Sequence, residues 1–265
     1  MNIFMVEMKA HRKSLIIWAF SILFMVGAGM GKYAGLSSGG QSMTDLLAQM
    51  PKSMQAVMGI GTFDLSKASG FYGMIFFYLV LMAAVHAVML GADIISKEER
   101  DKTVEFLLVK PISRNKVITS KLLAGLVNII IFNIITLVSS IIIVGKLGKG
   151  ESVGGDIVIL MVGMFILQIL FMVIGTAIAA VVKNPKAATG IGTAVLLISF
   201  IMSVAIDINS KIEGLKYITL FKYYEAKNLM SEVGFQLSYV ILSVIIISAM
   251  IKITYVFYKK RDMSI

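Results

Sequence analysis

The chain has 265 residues, of which 58% are hydrophobic and only 15% charged, and its mean hydropathy is +0.88. Soluble domains are about 25% charged, so this composition excludes a water-soluble globule, which would lack the polar surface to cover itself. With no cysteine, disulfides and thiolate metal sites are excluded, and the two histidines, His11 and His86, argue against a histidine-built metal centre. The net charge of +10 reads, in so apolar a chain, as basic loops facing anionic lipid and not as a nucleic-acid surface.

In chain order, residues 1–14 mix Ile3, Phe4, Val6 and Met8 with Lys9, Arg12 and Lys13, the pattern of a short interfacial helix leading into the membrane. Six apolar runs follow, at 15–31, 71–92, 122–144, 157–182, 187–206 and 237–258. A helix needs about 20 apolar residues to cross a hydrocarbon core of ~30 Å, and most of the runs meet that length. Pro51, Pro111 and Pro185 all lie between runs, so each run is expected to form an uninterrupted helix with its backbone satisfied internally. The runs do not alternate, which argues against a membrane β-barrel. The first is longer than the apolar region of a secretory signal and no clear cleavage site follows it, so it reads as a span. Gly27 and Gly31 on it, and Gly175 with Ala179 on the fourth run, have the four-residue spacing that permits close helix approach.

Orientation follows from lysine and arginine. With the N-terminus inside, fifteen of the 25 basic residues and all four arginines fall in inner segments, against nine in outer ones. Both termini are then cytoplasmic, as six spans require. The outer loop 32–70 contains an amphipathic stretch, 44–58, expected to be a short helix broken near Pro51. The inner loop 93–121 is the most charged part of the chain.

A complete ATP-binding motif is missing. The nearest approach to a phosphate-cradling loop is Gly145-Lys-Leu-Gly-Lys-Gly150, but Glu151 and Ser152 follow where Lys-Ser/Thr is required, and the segment lies in an outer loop. It reads as a flexible turn, and no route to ATP binding on this chain is expected. No metalloprotease motif occurs. Within the membrane the polar candidates are His86, Asn128, Asn133 and Gln168. An intramembrane ionisable group is a functional candidate by default. With no second membrane histidine and no carboxylate nearer than Asp93, His86 reads first as a neutral, hydrogen-bonded packing residue.

The loop 93–121 carries the most information. Glu98, Glu99, Arg100 and Asp101 continue a helix out of the membrane. Thr103 opens a short amphipathic helix with Val104, Leu107 and Leu108 on its apolar face and Glu105 in its first turn, where the helix dipole favours a carboxylate. Pro111 ends it, Ser113 caps the next helix, and Lys116 and Lys121 mark re-entry into the bilayer. On these residues alone, an ordinary interfacial helix and a helix docked in a partner's groove fit equally.

The run from Glu98 to Lys121 resembles the signature loop of ABC-2 type permeases, the membrane subunits of a class of ATP-binding-cassette exporters. The similarity rests on Glu98 or Glu99, Thr103, Glu105, Leu107, Leu108, Pro111, Ser113, Arg114 and Lys121. Many members have glycine before the threonine, where this chain has Lys102. A second similar stretch is Leu215 to Glu225, with Leu220 at the usual proline. The closest flavour is the single-domain permeases of bacitracin-type and sodium-type efflux.

The resemblance implies one domain over 1–265 and a permease half-subunit of an exporter, working as a homodimer or heterodimer with separate ABC ATPase subunits. ATP and Mg are expected on the ATPase and no cofactor on this chain. It also implies a bacterial plasma-membrane location, with 93–121 as the loop that couples to the ATPase. Lipid is the remaining expected partner. The competing reading is a secondary transporter or channel, which would place ionisable residues or broken helices at mid-membrane.

Overall fold

A computed structural model describes residues 2–36, 50–60, 63–103, 112–148 and 150–260. Among them there is no strand. The helices are α1 (Ile3–Leu36), α2 (Lys52–Val57), α3 (Ala68–Arg100), α4 (Arg114–Leu147), α5 (Gly154–Val181), α6 (Pro185–Ile208), α7 (Ala226–Leu229) and α8 (Leu237–Lys260). Two 3-10 segments, Ser210–Tyr217 and Leu220–Lys222, precede α7. Helices α1, α3, α4, α5, α6 and α8 are long and apolar enough to cross a membrane. Five of them contain the apolar runs read from the sequence, and α5 contains all of the fourth run but its last residue, Val182.

The helix ends follow from local chemistry. The Ser113 hydroxyl accepts from the Lys116 amide to start α4. The Asn184 side chain accepts from the Lys186 amide, and Pro185 fills the first position of α6, where its missing N–H costs nothing. Several helices outrun their apolar stretches. At 1.5 Å per residue, α1 and α4, each 34 residues, are about 50 Å long against a hydrocarbon core of ~30 Å.

That length corrects one expectation. Residues 3–14 form no separate interfacial helix; they are the first turns of α1, with Ile3, Glu7, His11 and Leu15 buried against the bundle. The second span continues past Ala92 to Arg100, matching the charged helical continuation read from the sequence, and Asp93 lies inside it. Of the outer stretch 44–58, residues 52–57 are helical, beginning after Pro51; 44–49 lie outside the described residues.

Helices α3 and α5 form the centre of the bundle. Their backbones meet at two glycines: a Cβ on Gly91 would strike the carbonyl oxygen of Met172, and one on Gly175 would strike that of Val88. Such closeness needs a residue without a side chain. Ala179 is fully buried beside this contact. The other small-residue pair does not behave this way, since Gly27 and Gly31 have open space within 4 Å and Gly29 between them packs on Ile75.

Around this pair, α1 lies along α4, α6 against α3, and α8 against α5. Lipid is as apolar as leucine, so the helices are held by packing and by buried polar ties, each worth about 0.6 kcal/mol on average. Tyr72 donates to Ser140 at 2.7 Å, Thr176 and Thr254 share a hydrogen at 3.1 Å, and Tyr224 and Ser243 at 2.7 Å. On the outside, Ile17, Phe20 and Phe24 of α1 and Ile198 and Ile201 of α6 are exposed, as a lipid-facing surface requires.

Candidate functional site at the basic end of the bundle

The basic end of the bundle, the one that the lysine and arginine distribution assigns to the inside, gathers charges from three helices. Lys121 lies two turns into α4 and is completely buried. Its ammonium donates to Glu7 Oε1 at 3.0 Å, to Glu98 Oε1 and Oε2 at 2.7 and 2.8 Å, and to the Ile94 carbonyl at 2.5 Å. The second oxygen of Glu7 accepts from Lys97 at 2.6 Å. His11, one turn along α1, lies 3.6 Å from Glu7 and 4.0 Å from Asp93. Asp93 in turn pairs with Arg100, which also donates to Asp101 at 3.0 Å.

This network ties α1, α3 and α4 at their inner ends. Lys97 and Lys121 stand against Glu7 and Glu98 in the buried part, and at its more exposed edge Arg100 stands between Asp93 and Asp101. Desolvation offsets most of the attraction within such a pair, but removing one partner strands the other and costs about 3–5 kcal/mol.

Both roots of the loop 93–121 are clamped. On the near side, the Thr103 amide donates to the Glu98 carbonyl at 2.8 Å and the Lys102 amide to Glu99 at 3.3 Å. This is the pair of bonds that closes a helix through a left-handed residue. That residue is Lys102, with φ of +56°. Here is the physical reason for glycine before the threonine in the pattern this loop resembles: a left-handed residue is strained by a Cβ. On the far side, Ser113 caps α4, and Arg114 donates to the Lys259 carbonyl at 2.7 Å. Arg114 thereby covers the open carbonyls at the C-terminus of α8, where a cation also suits the helix dipole.

The sequence-derived site residues thus divide. Glu98, Glu99, Arg100, Thr103, Ser113, Arg114 and Lys121 lie at the loop's two roots. Glu105, Leu107, Leu108 and Pro111 fall at 104–111, outside the described residues.

The intramembrane polar residues also divide. Asn133 donates to Gln168, and Gln168 donates to the Ala83 carbonyl at 3.4 Å, linking α4, α5 and α3. His86 is buried next to them, stacked on Phe132 with ring centres 4.8 Å apart and edge-on to Trp18 at 5.7 Å. Its Nδ1 has no hydrogen-bond partner among the described residues, and the ring's contacts are with these two aromatic side chains. Asn128 stands apart, donating to the Ala124 carbonyl at 2.8 Å and to Met8 at 3.2 Å.

Glu7, Asp93 and Lys97 were not singled out from the sequence. One signal was available: Glu7 is the sole acidic residue of α1, four positions before His11 in an otherwise apolar and basic helix.

Six helices long and apolar enough to span, with a loop clamped at both roots between the second and third, define a multi-pass membrane protein that is helical, without strands, among the described residues. The chain belongs to the ABC-2 transporter family: the family model described as "ABC-2 family transporter protein" matches residues 1–263. It is therefore a membrane permease component of an ABC transporter, a transport subunit and not itself a catalyst. No curated protein matches the chain.

Proposed function

We propose that this chain forms the translocation path of an ABC exporter, as one half of a permease dimer, and that the loop after its second helix seats in a groove of a separate ATPase subunit. ATP and Mg belong to that partner. The loop's apolar residues Leu107 and Leu108 are the anchors, with Glu105 orienting them.

One observation carries the reading: the wholly buried Lys121 bridges Glu98, at the near root of the loop, to Glu7 on α1. Arg114 extends the same connection to the C-terminus of α8. A displacement of residues 104–111 by a closing ATPase is then delivered to α1, α3 and α4 through buried charged contacts and to α8 through the exposed Arg114–Lys259 bond.

The test is co-purification with the co-expressed ATPase, together with its hydrolysis rate in proteoliposomes. A buried apolar anchor is worth ~2 kcal/mol or more and a rim charge less. Leu107→Asp is therefore expected to abolish co-purification, Lys110→Ala to leave it near wild type, and Glu105→Ala to fall between. Full assembly and hydrolysis with Leu107→Asp would exclude the loop as the docking element.

A further inference from the structure

At the opposite end of the bundle lies a cavity of about 350 Å³. This is within the range of pockets that hold small molecules. Its walls come from α3, α6, α2 and the segment carrying α7. The inner part is apolar, lined by Phe76, Phe77, Val80 and Phe221. Behind it the rings of Phe77, Phe200, Phe221 and Phe171 form a continuous aromatic wall, with centres 5.2 to 5.4 Å apart. The outer part is charged, lined by Asp207, Glu225 and Lys227.

These charges form a closed quartet. Lys227 lies 3.0 Å from Asp207 and 3.1 Å from Glu225, while Lys222 lies 2.7 Å from Asp207 and pairs with Glu225 as well. The two lysines are not equivalent. The Lys222 side chain is 6% exposed and braces the quartet from behind, whereas that of Lys227 is 35% exposed and lines the cavity. Burial opposes the charge on Lys227, but Glu225 and Asp207 outweigh it and raise its pKa above the usual lysine range.

Depth orders the two parts. Val80 is twelve residues into α3, about 18 Å below its outer end at 1.5 Å per residue. Asp207 is the penultimate residue of α6, at the outer surface. The cavity therefore runs from a charged mouth at the outer interface into the apolar depth of the outer leaflet. Bilayer lipid has the same order of head and tail.

We propose that this cavity binds an outer-leaflet amphiphile with a zwitterionic headgroup, its chain among Phe76, Phe77 and Phe221 and its head at Lys227 and Asp207. The balanced quartet selects the head. An anionic or cationic head alone would leave a surplus charge at a half-buried mouth. A head with a phosphate and an ammonium replaces the Lys227–Asp207 pair one for one, phosphate on lysine and ammonium on carboxylate.

The test uses the purified full-length chain in uncharged detergent, without any ATPase, so its result is independent of the coupling proposed above. The probe is lysophosphatidylethanolamine with a photoreactive diazirine in its chain. Saturable labelling of the α3 segment around Phe76 and Phe77 is expected, displaced by unlabelled lysophosphatidylethanolamine. Dodecylamine, dodecyl phosphate and glycerophosphoethanolamine, the last being the headgroup without a chain, should compete at least tenfold more weakly. Ala56→Trp, which fills the cavity from α2, should abolish this labelling. Lys227→Gln, which leaves the Lys222 brace in place, should weaken it about tenfold with an unchanged gel-filtration profile. Labelling unaffected by both variants, or spread without saturation over Phe20 and Phe24, would overturn the site. Equal competition by a single-sign amphiphile would overturn the zwitterion, and equal competition by the free headgroup would overturn the lipid.

Discussion

Lys121 and Glu7 are 114 positions apart in the chain, yet the ammonium of one donates to the carboxylate of the other at 3.0 Å with both side chains almost fully buried. Replacing Lys121 by Met removes the charge and keeps the length. Glu7 retains Lys97, but Glu98 loses its buried partner. Lys121→Met is expected to destabilise the chain by about 3 kcal/mol or more. Glu7→Gln combined with Lys121→Met should cost less than the sum of the two single changes, because residues in contact are not additive. Thermal unfolding in detergent reads both; strict additivity would show that the pair is not coupled.

Lys102 offers a change in the opposite direction. Its left-handed conformation costs a side-chain-bearing residue roughly 1–2 kcal/mol, part of which glycine gives back through its freer unfolded chain. Lys102→Gly should stabilise the root of the loop by about 0.5–1 kcal/mol and slow hydrogen exchange at the Thr103 amide. Lys102→Val, with a branched Cβ, should do the reverse. A loss of stability with glycine would mean that the Lys102 side chain holds more than its backbone costs.

The glycines separate close packing from open lipid. At Gly91 even one methyl group meets the Met172 carbonyl, a rigid backbone atom. Gly91→Ala should therefore force α3 and α5 apart, costing about 3 kcal/mol or more, and show as poor monodispersity after extraction. Gly27→Ala and Gly31→Ala meet nothing within 4 Å. They should be neutral or gain up to about 1 kcal/mol of helix propensity. Equal damage at Gly27 would point to a partner covering that face.

Orientation can be read directly, because the chain has no cysteine. A single cysteine at Ser113, at the root of the charged loop, should react only with membrane-permeant thiol reagents. One at Ser53, at the start of α2, should react with impermeant reagents added outside. Exterior labelling at position 113 would invert the topology.

The sequence by itself determined the membrane class, the six spans and their common helical state. Hydrophobicity and backbone satisfaction in lipid act locally along each run and need no knowledge of neighbours. It also determined the bound set by Ser113, since this cap is a contact between residues three apart. Tertiary structure decided which polar residues matter together. Lys121 read as a charge marking re-entry into the bilayer, and only the approach of α1 and α3 makes it the buried centre of the network. Arg114 read only as part of the signature loop, and the packing places it over the end of α8, 145 positions away. Gly27 and Gly31 matched the spacing for close approach as well as Gly175 did, but spacing says only that two small residues share a face. Which helix lies opposite that face is fixed by the packing of all six. The outer cavity was illegible for the same reason: its walls are drawn from four separate segments, and no local pattern records that they enclose a space.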